Sequence, residues 1–80
     1  MGCLQVIKGG MAAYTDTDRK IALFLLERQP EVLSMSVDEL ARNTEVSSAA
    51  IVRFAKKIGY SGFREMKIAL AMEHTKPEYA

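Results

Sequence analysis

The 80 residues include 49% apolar and 26% charged side chains and carry a net charge of +1. That balance belongs to a globular chain and excludes a disordered, collagenous or disulfide-built one. A domain this short buries only about 60% of its unfolded surface, so one lean binding module is expected rather than a core built around a catalytic pocket.

A single Cys3 and a single His74 cannot supply a four-ligand zinc site, and Cys3 has no partner in the chain for a disulfide. No metal or other cofactor is expected, and a reducing, cytoplasmic setting fits. No apolar run approaches the roughly 18 residues of a membrane span, and the start lacks a charged segment followed by an apolar one. The opening Gly2-Cys3-Leu4-Gln5-Val6 departs from a myristoylation signal at Val6, where Ser or Thr is wanted, so no membrane partner is expected. The charge is unevenly spread. Met1 to Val46 holds five Lys/Arg against seven Asp/Glu, a net of −2, whereas Ser47 to Ala80 holds six against three, a net of +3. Arg53, Lys56 and Lys57 crowd into five positions of that basic part. Such a cluster suits a polyanion, although a solvated helix face has the same composition.

Taken in order, Leu4, Val6, Ile7 and Met11 predict a short leading helix, weakened by Gly9 and Gly10 at roughly 1 kcal/mol each relative to alanine. Thr15 and Asp18 form a capping box, with Asp16 complementing the helix dipole. The apolar stripe of Ile21, Ala22, Phe24 and Leu25 then predicts a core helix from about Asp16 to Arg28, stopped by Pro30. Residues 31–35 are long enough only for a helical turn. Ser36-Val37-Asp38-Glu39 is a second capping box and opens a helix from Val37 to about Asn43. Ser47 caps the next, in which Ile51, Phe54, Ala55 and Ile58 recur at i, i+3, i+4 and i+7 before Gly59 ends it in a left-handed conformation. Ser61 is expected to cap a last helix carrying Phe63, Met66, Ile68, Ala69, Leu70 and Met72, and a linker to begin at Thr75. No alternating strand, hairpin turn or repeat is found. The predicted fold is all-α, a compact bundle of about five helices without a wing.

The helices that follow Ser36 and Ser47, joined by a short turn, have the form of a helix-turn-helix, in which one helix braces another that enters the DNA groove. Ala41 must be small where the two approach, and Leu40, Val46, Ile51 and Phe54 are expected to bury against the first long helix. Glu45 departs from the pattern. It stands in the turn where glycine is favoured, so a strained left-handed residue is expected.

The segments Thr15-x-x-Asp18-Arg19-Lys20-Ile21-Ala22, Ser36-x-x-Glu39-Leu40-Ala41, Val46-Ser47-Ser48-Ala49-Ala50-Ile51-Val52-Arg53-Phe54, Lys56-Lys57-Ile58-Gly59-Tyr60-Ser61-Gly62-Phe63 and Glu65-Met66-Lys67 occur in that order. Together they resemble the N-terminal domain of RpiR-family bacterial transcription regulators, over about Leu4 to Glu73 and most specifically from Val46 to Lys67. The resemblance implies a DNA-binding domain over residues 1–74 and, from 75 to 80, the start of a linker to a sugar-isomerase-type domain that senses phosphosugars and is absent from this chain. It further suggests repression in response to a sugar phosphate.

The helix beginning near Ser47 carries the expected contacts. Arg53 is the candidate base reader, since its planar fork pairs bidentately with guanine O6 and N7; a phosphate contact is its alternative. Ser48 can bond a base edge and Ala49 can touch a thymine methyl, or both merely permit close approach. Ser47 is expected to act as a helix cap first and a phosphate contact second. Lys56, Lys57, Arg64 and Lys67 are candidate phosphate anchors or solvated charges, and Tyr60 either donates to phosphate or packs on the core. Ala50 and Val52 are expected at the margins of the helix face, and Phe54 and Phe63 in the core. One module reads only a half-site, so a homodimer on a near-palindromic duplex is expected, with Leu4, Ile7 and Met11 as a candidate dimer contact or as core. Catalysis would need a nucleophile and base, paired acids or a metal set, and none is assembled here. A helical protein-interaction module is the rival to DNA binding.

Overall fold

The computed structural model describes residues 2–74, which form α1 (Cys3–Gly9), a 3₁₀ turn (Met11–Ala13), α2 (Asp16–Glu27), α3 (Gln29–Val32), α4 (Val37–Thr44), α5 (Ser48–Lys57) and α6 (Phe63–His74). No strand occurs among the described residues, in keeping with an all-helical bundle without a wing. The expected linker from Thr75 lies outside them. No helix of the described residues is long and apolar enough to cross a membrane.

Each central helix starts where its capping chemistry lies. Thr15 Oγ1 accepts from the Asp18 backbone N–H at 3.1 Å while Asp18 Oδ2 accepts from the Thr15 N–H at 3.3 Å, and Ser36 and Glu39 repeat the exchange at 3.1 Å in both directions. Two of the four orphan N–H groups at each helix start are thereby satisfied.

The ends are equally specific. At the close of α5 the Gly59 N–H donates to the Lys56 carbonyl and the Tyr60 N–H to the Ala55 carbonyl, with Gly59 at φ +103°. This bond pair is a Schellman motif. α4 ends the same way, with Glu45 N–H donating to Arg42 and Val46 N–H to Ala41, but here the left-handed residue is Glu45, at φ 58° and ψ 41°. The strained turn expected from the sequence is present.

Three expectations need correction. The leading helix ends at Gly9, so Met11 belongs to the 3₁₀ turn and not to the same helix. The two glycines terminate the element rather than weaken its middle. Gly10 also accommodates a close approach: a Cβ there would lie 2.6 Å from the Tyr14 hydroxyl. Pro30 does not simply break the chain, because it occupies the first turn of the one-turn helix α3, where its missing N–H costs nothing. Finally, Ser61 is not the cap of α6. Its backbone N–H and its hydroxyl both donate to the Glu65 carboxylate, at 3.2 and 2.9 Å, and the helix begins two residues later.

The core gathers Ile21, Ala22 and Leu25 of α2, Leu40 and Ala41 of α4 and Ala50, Ile51, Phe54 and Ala55 of α5, all buried. Phe54 meets Tyr14 edge to face, with ring centroids 5.3 Å apart, a geometry that aromatic quadrupoles favour. α1 packs against α6 on the other side, and Ile7, Met66 and Leu70 complete the core. Ile7 is wholly buried and Leu4 and Met11 pack against the same cluster, so these residues serve the core within one chain. Cys3 is likewise buried. The Leu4 N–H donates at 3.0 Å to the Glu73 carboxylate, which fastens the first helix to the last.

Candidate nucleic-acid interface

The α4–turn–α5 unit is built from its apolar face outward. Burial of Ile51, Phe54 and Ala55 fixes the rotation of α5, which leaves Ala49, Arg53, Lys56 and Lys57 exposed and Ser48 half-buried. Ala50 is not marginal as its position suggested. It is 5% exposed and lies against α2.

Ser47 precedes α5 with its hydroxyl oxygen accepting from the Ala50 N–H at 3.1 Å, so the expected cap is formed. Ser48 spends its hydroxyl differently: it donates to Asp38 Oδ1 on α4 at 2.7 Å. This bond joins the starts of the two helices. The sequence offered no hint of it, because Asp38 reads as one more acid in the first turn of a helix.

Arg53 is exposed and forms no ion pair with the described residues. It borders a cleft of about 410 Å³ between the start of α2 and α5, together with Thr15, Thr17, Asp18, Ala50 and Lys57. Lys57 is committed elsewhere. Its ammonium lies 2.6 Å from Asp18 Oδ2, with 44% of the lysine side chain and 12% of the aspartate exposed, and 6.0 Å from the centre of the Tyr14 ring. Burial pushes the Asp18 carboxyl up, but hydrogen bonds from Lys57 and Thr15 and the Lys57 charge outweigh it and hold the group below its ordinary value.

Of the remaining candidates, Lys56 and Arg64 are exposed on α5 and α6. Lys67 is partly buried, donates to the Met35 carbonyl at 2.9 Å and covers the Phe63 ring at 5.6 Å, so it ties α6 to the segment that leads into α4. Tyr60 packs against the core. Burial, with the interaction with the Cys3 thiol adding to it, pushes the Tyr60 hydroxyl up to about 12. Of the two roles open to Tyr60, the inward one is occupied.

The arrangement is a helix-turn-helix with one exposed, basic helix face. A family model for the helix-turn-helix domain of the rpiR family matches residues 1–77. The chain belongs to this family. An HTH-type transcriptional regulator of Caldanaerobacter subterraneus subsp. tengcongensis, itself uncharacterized, is 40% identical over 73 residues, which are 91% of this chain and 26% of that protein. The Vibrio vulnificus NanR protein, solved in complex with ManNAc-6P, superposes with a TM-score of 0.90 at 29% identity over 94% of this chain and 29% of its own. The N-terminal domain of the regulator ybbH from Bacillus subtilis subsp. subtilis str. 168 gives a TM-score of 0.89 at 27% identity, over 96% of this chain and 94% of that one. The rpiR-family chain described here thus spans about a quarter of the curated relative's length. It is the DNA-binding domain of a transcription regulator and not an enzyme.

Proposed function

We propose that α5 enters the major groove of a specific operator and that the regulator acts as a repressor of sugar or sugar-phosphate metabolism in the cytoplasm. The observation that carries the DNA reading is the braced α5 itself, with Ala49, Arg53 and Lys56 exposed on a helix whose opposite face is locked into the core. Arg53 reads a guanine, Ala49 meets a thymine methyl, and Ser47, Lys56 and Arg64 contact phosphates, with Lys57 and Lys67 in lesser roles. Two copies bind a near-palindrome with half-sites about 34–36 Å apart. The link to phosphosugars rests on family membership and on the NanR relative's complex with ManNAc-6P; the effector would act through a sugar-isomerase-type domain reached by a linker from residue 75.

Selection from random duplexes tests this reading. Arg53→Ala is expected to relax preference at one base position by about 1–3 kcal/mol, whereas Lys56→Ala weakens all sequences alike. Equal effects from the two would remove the division of roles. Absence of salt-dependent duplex binding would favour a protein-interaction module.

A further inference from the structure

Two adjacent serines at the start of α5 retain opposite hydrogen-bonding capacity. A hydroxyl has one proton to give and two lone pairs with which to accept. Ser47 has accepted from the Ala50 N–H and keeps its proton. Ser48 has given its proton to Asp38 Oδ1 at 2.7 Å and keeps only its lone pairs. The carboxylate it faces is itself an acceptor without protons to offer.

We infer that Asp38 is a specificity-determining positioning residue, which fixes Ser48 as a hydrogen-bond acceptor that reads an exocyclic amino group in the major groove. This inference rests on the proposal that α5 is the recognition helix. In that groove only cytosine N4 and adenine N6 present amino donors, whereas guanine O6 and N7 and thymine O4 are acceptors. An acceptor-only Ser48 therefore selects C or A and rejects G and T on the strand it faces. Phosphate oxygens, which only accept, are excluded as partners for the same reason, and the Asp38 charge beside Ser48 repels them further. Ser47, with its proton free and no acid bonded to it, is the serine suited to the backbone. Arg53 lies five residues further on, roughly 7.5 Å along the helix, and offers only donors. The half-site thus combines an amino-bearing base near the start of α5 with a guanine near its middle.

The test compares base preferences of this chain, Ser48→Ala, Ser48→Thr and Asp38→Ala by selection from random duplexes, with helical melting followed for each. The wild type is expected to select C or A at one position. Ser48→Ala should flatten that position alone, by about fivefold, and Ser48→Thr, which keeps the hydroxyl, should retain the preference. Asp38→Ala frees the Ser48 proton and should admit G or T at that same position while the rest of the site stays unchanged. A wild-type preference for G or T there, or an Asp38→Ala profile identical to the wild type, overturns the inference while leaving α5 as the reader. Indifference of the whole profile to Ser48, Asp38 and Arg53 substitutions would overturn both.

Discussion

The ammonium of Lys57, near the end of α5, lies 2.6 Å from Asp18 Oδ2, the same oxygen that accepts from the Thr15 N–H at the start of α2. One carboxylate therefore caps the first long helix and anchors the far end of the exposed one. Asp18→Asn keeps an acceptor for Thr15 but removes the charge facing Lys57. It is expected to lower stability by about 1 kcal/mol, with Lys57→Ala adding little on top of it. Urea denaturation of the two single variants and the double variant checks this; full additivity would mean that the pair is not coupled.

Because Asp18 already neutralises Lys57, the two lysines should differ on DNA. Lys56→Ala is expected to reduce the slope of log affinity against log salt by about 0.9, the value for one lost phosphate contact on a duplex. Lys57→Ala should reduce it by less while also lowering the melting temperature. A salt titration of both variants separates them.

Glu45 holds a left-handed conformation that an L side chain adopts at a cost of roughly 1–2 kcal/mol. Glycine removes that strain but gains freedom in the unfolded chain, worth about 0.4–1 kcal/mol in the opposite direction. Glu45→Gly should therefore stabilise by about 0.5–1 kcal/mol, read as a higher urea midpoint at unchanged slope.

Acid should unfold the domain through its caps. Asp18 is held below its ordinary value of 3.8, and Glu39 below 4.5, the latter chiefly by the hydrogen bond from the Ser36 N–H. Groups depressed in the folded state contribute stability that is complete above their unfolded values and is lost as pH falls through the folded ones. The melting temperature should hold level from about pH 7 to 5 and decline below about pH 4, less steeply in Asp18→Asn. A decline of equal steepness in that variant would assign the loss to other carboxyls.

What the sequence reveals is what short range determines. Both capping boxes, the Ser47 cap, the Gly59 stop and the left-handed Glu45 depend on residues within a few positions of one another, and each is present in the structure. The apolar stripes likewise fix which faces of α2 and α5 turn inward. Partners brought together by the tertiary fold escape such reading. Lys57 looks like a free cation until α2 supplies Asp18 from 39 residues away, and Lys67 until the Met35 carbonyl arrives from 32 residues away. Ser48 and Asp38 are only ten residues apart, yet they meet because α4 and α5 cross, not because of any pattern between them. α3 starts two residues before the helical turn expected over 31–35, for another reason: four residues around a proline carry too little periodicity to fix its bounds.

The bond from the Leu4 N–H to Glu73 spans 69 positions, whereas α2, α4 and α5 pack together within residues 16–57. During synthesis the opening helix leaves the ribosome long before its partner exists. The three-helix unit that bears Arg53 can close first, and the contact of α1 with α6 forms only once α6 has emerged, because contacts of high sequence separation are the last to repay the entropy of closing their loop. Docking of α1 on α6 is thus expected to follow closure of the three-helix unit that carries Arg53.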